Sequence, residues 1–176
     1  DFSEVNPEYF DYADRRIRHL VENGIVPAIV GGWGRADCNI MDLVGIDGMK
    51  RHWRYLIARY GAYPTTWITG GESRGPEWTE TSQFVREIDY VDRPITMHPQ
   101  GGASGRGSVT DESAVNYDML QTGHGGWDLT DRVVTLLKQA HDREPAMPVI
   151  IGEYSYEQHM QTGFADVQRY VFWSST

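Results

Sequence analysis

Helix-period and strand-like segments alternate from one end of this chain to the other, and few architectures accept that order. Residues 7–23, PEYFDYADRRIRHLVEN, place Tyr9, Phe10, Ala13, Ile17, Leu20 and Val21 at helical spacing. Asn6 stands as an N-cap, Pro7 in the first turn and Gly24 as the stop. IVPAIV, residues 25–30, follows as a buried strand. The order then repeats, with 45–60 helical (Met49, Trp53, Leu56 and Ile57 on one face) and 65–69 strand-like. Residues 79–89 read as a helix and 94–98 as a strand. Residues 108–116 read as a loop or short helix, and 117–121 as a strand. The segment 129–142 reads as a helix burying Val133, Val134, Leu136, Leu137 and Ala140, before a strand at 148–151 and a last helix at 164–174. Five strands separated by such segments predict an α/β fold with a parallel sheet.

The residues able to do chemistry fall at or just after the strand ends. Trp33 follows the first strand, Glu72 the second, and His98 ends the third. Gln121 and His124 stand at and after the fourth, and Glu153 follows the fifth. Two strands finish alike, WITGGE at 67–72 and PVIIGE at 148–153. In α/β folds ligands bind at the carboxyl ends of the parallel strands, and in a (β/α)8 barrel those ends form one rim. All these residues would then face a common pocket.

Composition narrows the ligand. The 176 residues carry a formal charge of −9, and no cluster of Lys or Arg offsets it, which argues against nucleic acid or an anionic membrane surface. A neutral or weakly charged ligand fits better. Apolar residues make up 40% and charged ones 23%, a globular balance, and one ordinary domain over 1–176 is expected. The longest apolar runs fall far short of the ~20 residues that span a bilayer, and no signal-peptide pattern opens the sequence. Cys38 is the only cysteine, so neither an internal disulfide nor a cysteine-based zinc site can form.

Each residue also has a plain structural reading. A loop glutamate such as Glu72 can cap the next helix, a lone histidine such as His98 is commonly a satisfied core residue, and Trp33 in GGWG can plug a barrel end. Trp53, Trp67 and Trp173 are assigned to packing. Two glutamates at two strand ends, with His124 in the polar stretch QTGHGGW, favour a site over coincidence. Two carboxylates on one rim serve glycoside hydrolysis, where one protonates the leaving oxygen and the other attacks the anomeric carbon or activates water. Their proton affinities must differ, so an ionised partner wants hydrogen-bonding neighbours, for which Tyr154, Tyr156, His98 and His124 are candidates.

GGWG, WITGGE, RPITMHP, YDMLQTGHGG and PVIIGEYSYE, in this order, resemble the apiosidase-like glycoside hydrolase domain, and the likeness runs over essentially the whole chain. The resemblance implies a (β/α)8 barrel related to the clan of retaining glycosidases, in bacterial enzymes acting on plant polysaccharides. It implies Glu72 as general acid/base and Glu153 as nucleophile. It also implies that His98, Gln121 and His124 line the sugar site, with Glu157 as a supporting partner; Trp33, an aromatic ring at the rim able to stack on a sugar, and Tyr154, beside the carboxylate, complete the expected substrate-binding set. No cofactor or metal is expected, and a secreted or periplasmic setting is suggested by the resemblance alone. The family often has aspartate where Glu72 stands, and clan relatives usually place Asn before the acid/base, where this chain has Gly71.

Five strands match strands three to seven of such a barrel, so this chain is expected to be an incomplete portion whose remainder lies in the same polypeptide or a larger assembly. A second reading makes it a non-catalytic structural or carbohydrate-binding subunit, favoured if the two glutamates lay far apart or were locked to Arg74, Arg86 or Arg93. A metal-dependent hydrolase is weaker, because the six histidines show neither HExxH nor HxH spacing. Nucleotide binding is weaker still. The glycine-rich GGASGRG, residues 101–107, lacks the Lys-Ser/Thr ending of a phosphate loop and reads as a mobile loop over the rim.

Overall fold

The computed structural model describes residues 4–35 and 37–176. The first helix, α1 (Pro7–Glu22), starts where the sequence places it: Asn6 Oδ1 accepts from the N–H of Glu8 at 3.1 Å and of Tyr9 at 3.4 Å. Strand β1 (Ala28–Val30) is followed by a small antiparallel hairpin, β2 (Gly34–Arg35) and β3 (Cys38–Asn39). Helix α2 (Ile40–Tyr60) is interrupted at Gly45, whose φ of 62° only glycine adopts freely, so the straight run begins beyond it. Strand β4 (Thr66–Gly71), helix α3 (Pro76–Ile88) and strand β5 (Ile95–His98) come next. Two-residue β6 (Ala103–Ser104) and two 3-10 turns lead to β7 (Asp118–Gln121). Helix α4 (Thr130–His141), strand β8 (Val149–Glu153) and helix α5 (Ala165–Ser174) complete the order.

The parallel strands form two ladders, each in sequential order. β1 pairs with β4 and β4 with β5, while β7 pairs with β8. β5 and β7 lie side by side. They are joined where Asn116 donates its N–H to the Ile95 carbonyl at 3.0 Å and accepts from the Ile95 N–H at 2.7 Å. Among the described residues neither β1 nor β8 has a second parallel neighbour. This explains a correction to the first strand. Ile25 and Val26, read as buried, are 52% and 59% exposed, and regular pairing begins only after Pro27.

One core lies between α1 to α3 and the sheet β1-β4-β5. Trp53 and Trp67 meet edge to face there at 5.7 Å, both wholly buried, with Met49, Leu56, Trp78, Val85, Ile95 and Met97 around them. A smaller cluster of Val133, Tyr154, Val167 and Val171 joins α4 and α5 to β8. Here the expected burial of α4 is too wide: Val133 and Ala140 are buried, Leu136 and Leu137 half-buried, and Val134 exposed. Trp173, assigned to packing, is 72% exposed, because α5 turns Val167 and Val171 inward instead. No helix among the described residues is long and apolar enough to cross a membrane.

Polar ties hold the elements in place. The segment expected to be a mobile loop over the rim is anchored instead: β6 pairs antiparallel with β7, and Arg106 is fully buried. Its Nε donates to Glu112 Oε2 at 2.6 Å and its backbone N–H to Asp118 Oδ1 at 2.8 Å. Between α1 and α2, Arg59 donates to both carboxylate oxygens of Asp14 at 2.7 Å, and this holds the Asp14 carboxyl below its ordinary value. A depressed carboxyl stabilises the fold above its unfolded value of about 3.9, and the benefit disappears as pH falls through the folded value. Stability to urea is therefore expected to decline below about pH 4 by on the order of 1 kcal/mol from this pair. Arg59→Met should remove that component of the acid decline, leaving the other carboxylates to account for the rest.

Candidate active site

The rungs of the sheet assemble the site. Trp33 bridges to Gly71, and Gly71 pairs with His98, so these three share one level at the carboxyl end of β1, β4 and β5. Gln121 and Glu153 pair at the end of β7 and β8. Both ladders slip just before this level, which turns the last residues toward the rim. Gly71 leaves space that Trp33 fills: a Cβ built there would lie 2.1 Å from Trp33 Cε3. At Gly71 this chain has an indole over bare backbone, and the same indole stands 5.0 Å from the His98 ring.

Glu153 is the most heavily bonded carboxylate at this end. His98 Nε2 lies 2.8 Å from Oε2, and His124 Nε2 lies 3.2 Å from Oε1. The Tyr156 hydroxyl also donates to Oε1. The Glu153 side chain is only 12% exposed. His98 Nδ1 faces the Pro99 carbonyl at 3.0 Å, which orients the ring so that Nε2 points at Glu153. The bond to Glu153, then burial, then the charges of Glu153 and Glu72 push the Tyr156 phenol up to about 12. The phenol is thus a standing hydrogen-bond donor at neutral pH.

Glu72 follows β4 directly and sits at φ 48°, in the left-handed region that non-glycine residues seldom occupy. Two backbone contacts hold it there. Its N–H donates to the His98 carbonyl at 2.9 Å, and its carbonyl accepts from Gln100 Nε2 at 3.1 Å. The carboxylate lies 3.6 Å from Arg35 Nε and remains 21% exposed. Arg86 and Arg93 pair with Asp92 and Asp89 instead, so neither locks a rim glutamate.

Gln121 is 2% exposed, and its Oε1 has no partner among the described residues. His124 Nδ1 is likewise buried and unpaired. These are two acceptors waiting for donors. His124 stacks on Tyr156 at 4.7 Å, and His159 meets both rings edge on at 5.5 and 5.9 Å.

The structure moves one expected residue out of the site. Tyr154 is buried behind the sheet with Val133, Val167 and Val171, and its hydroxyl donates to the Gly126 carbonyl at 3.4 Å. A period of two explains it: Glu153 faces the rim, so its neighbour faces the helices. Tyr156 takes the place beside the carboxylate. Arg35 and His159 were not anticipated, since a two-residue hairpin and a 3-10 turn leave no periodic signal. Trp33, Glu72, His98, Gln121, His124 and Glu153 stand at or just after the carboxyl ends of their strands. Among the described residues no group of three or more His, Cys, Asp or Glu is arranged to hold a metal ion.

Known proteins agree with this arrangement at the level of fold and family. The model of the family described as "Apiosidase-like, catalytic domain" matches residues 1–176. A glycoside hydrolase family 5 protein from Bacteroides vulgatus ATCC 8482, solved at 1.90 Å resolution, superposes with a TM-score of 0.80 at 24% identity. That match covers 99% of this chain and 43% of the other. A structure described as "Glycoside hydrolase" gives a TM-score of 0.77 at 24% identity over 99% of this chain and 45% of its own. The chain thus spans less than half the length of these solved relatives. No curated protein matches it.

Proposed function

The chain belongs to the apiosidase-like catalytic-domain family, and on that premise we propose that it forms the part of a (β/α)8-barrel glycoside hydrolase that carries both catalytic carboxylates. The observation that carries the reading is the seat of Glu153: a strand-end carboxylate held by His98, His124 and Tyr156, with Glu72 following β4 and tied through its N–H to the carbonyl of that same His98. In this reading the five parallel strands are strands three to seven of the barrel. The remainder of the barrel comes from the same polypeptide.

Glu153 attacks the anomeric carbon as Glu72 gives its proton to the departing glycosidic oxygen, so the aglycone leaves neutral and a glycosyl ester forms on Glu153. Glu72, now ionised, takes a proton from water, and the hydroxide equivalent displaces Glu153 with net retention. His98, His124 and Tyr156 around Glu153 hold its carboxylate in one aimed position, which suits a nucleophile. Only Arg35 and solvent attend Glu72, whose single rotating side chain can serve first as acid and then as base. Sugar hydroxyls supply the donors that Gln121 Oε1 and His124 Nδ1 lack, and the Trp33 indole offers an apolar face to the ring. The substrate is a glycosidic bond of a plant-type or other polysaccharide side chain.

The test is stereochemical. Proton NMR of the full polypeptide's reaction, read before mutarotation, should show the first sugar released in the configuration it had in the substrate. Release of the opposite anomer would assign Glu153 to activating water and end the retaining scheme.

A further inference from the structure

One short segment, residues 98–100, reaches both rim glutamates. The His98 ring faces the Glu153 carboxylate, with Nε2 at 2.8 Å from Oε2, while the His98 carbonyl accepts from the Glu72 N–H at 2.9 Å. Two residues on, Gln100 Nε2 donates to the Glu72 carbonyl at 3.1 Å. Glu72 is thereby bonded through both of its backbone groups to this one segment. We propose that Gln100 is a positioning residue for the reaction, its amide holding Glu72 in the backbone conformation from which the carboxyl meets the glycosidic oxygen. The proposal rests on the reading of Glu72 as acid and then base.

The physical case starts from strain. At φ 48° Glu72 occupies a region that is unfavourable for a residue with a Cβ, and such a conformation persists only where the surroundings over-determine it. Its carboxylate makes no hydrogen bond among the described residues and has only the largely exposed Arg35 within 4 Å, so the side chain cannot supply that hold. The two backbone bonds to residues 98–100 do. Sheet topology makes the hold matter for catalysis. Glu72 follows β4 and Glu153 ends β8, and these strands belong to different ladders with no shared rung. Asn116 joins the ladders at the amino end of β5. At the carboxyl end the link runs through Gln100. Its carbonyl accepts from the Ala103 N–H at 3.0 Å, and the Gly102 N–H donates to the Gln121 carbonyl at 2.7 Å. Gln121 in turn shares a rung with Glu153. Gln100 is exposed at the surface, yet its backbone is anchored to the nucleophile's ladder and its amide to the backbone of the acid.

A residue that positions the acid must act according to the leaving group. A dinitrophenyl glycoside of the sugar that the full polypeptide releases departs as a stable anion and needs no proton, whereas the phenyl glycoside needs Glu72 to supply one. The ratio kcat/KM follows the first step, in which Glu72 is the acid. Gln100→Met keeps the side chain's length and removes its donor. In the full polypeptide it should lower kcat/KM for the phenyl glycoside about threefold to tenfold and leave the dinitrophenyl value within about twofold. Gln100→Lys, which retains a donor of similar reach, should stay within about twofold of the parent on both. Equal losses on the two glycosides, no loss in Gln100→Met, or a Gln100→Lys as slow as Gln100→Met overturns the positioning role. Glu72→Gln separates that failure from failure of the acid assignment, since it should lose about a hundredfold or more on the phenyl glycoside and little on the other. Similar losses on both would overturn Glu72 as the acid and the role of Gln100 with it. A selective loss in Glu72→Gln beside an unselective one in Gln100→Met would overturn the role of Gln100 alone.

Discussion

Glu153→Gln is expected to lower turnover by about a thousandfold or more in the full polypeptide while leaving the fold intact. Glutamine fills the same volume and can still accept from Tyr156 or His124, so the packing of this nine-tenths-buried side chain survives. Its amide cannot form the glycosyl ester. The substitution also has a readout independent of activity. The bond to Glu153 is the largest cause that raises the Tyr156 phenol to about 12, so removing the charge should return it toward the ordinary value of about 10. Spectrophotometric titration of the variant against the parent should show one tyrosine moving down. Near-parent turnover would remove Glu153 from the mechanism. A silent tyrosine would remove the contact from the structure.

Asp89→Ala is expected to be the most damaging change outside the site, at roughly 3–5 kcal/mol of stability to urea. Asp89 is 2% exposed and ties three elements together. Its Oδ2 accepts from the Trp67 indole N–H at 2.7 Å and from the Arg93 backbone N–H at 3.2 Å, and its Oδ1 accepts from Arg93 Nη1 at 2.8 Å. Alanine would leave the Arg93 guanidinium without its counter-charge, held only by the Tyr63 and Gly61 carbonyls, and would strand a wholly buried indole N–H in the larger core. Such a loss is a large fraction of the 5–15 kcal/mol that ordinarily holds a domain folded. By contrast Glu80→Gln, at the surface pair with Lys50, should cost less than about 1 kcal/mol. A loss of under about 1 kcal/mol at Asp89 would mean that the Arg93 charge finds solvent or another partner.

Much of this architecture is written in local pattern. Helix α1 is legible because Asn6, Pro7 and Gly24 punctuate a clean helical period, and the strands of the core are legible as short apolar runs between turn residues. What local pattern misses is context. Ile25 and Val26 look like core, but burial depends on a neighbour across the sheet. Arg106 looks like part of a flexible glycine-rich loop, but Glu112 and Asp118, six and twelve residues on, return to hold it. The two rim glutamates were readable from their place after strands. The choice of Tyr154 over Tyr156 was not forced, since alternation beyond Glu153 already sends Tyr154 to the helix side. Arg35 and His159 act through folded proximity alone, and no spacing in the sequence announces them.

The central claim is that Glu153 is the nucleophile, and a covalent adduct tests it most directly. The full polypeptide would be treated with a 2-deoxy-2-fluoro glycoside of the sugar it releases, then digested and its peptides weighed. The account predicts one added glycosyl mass on the peptide containing Glu153, absent from Glu153→Gln. An adduct on Glu72, or an active enzyme that forms no adduct and releases inverted sugar, would contradict it.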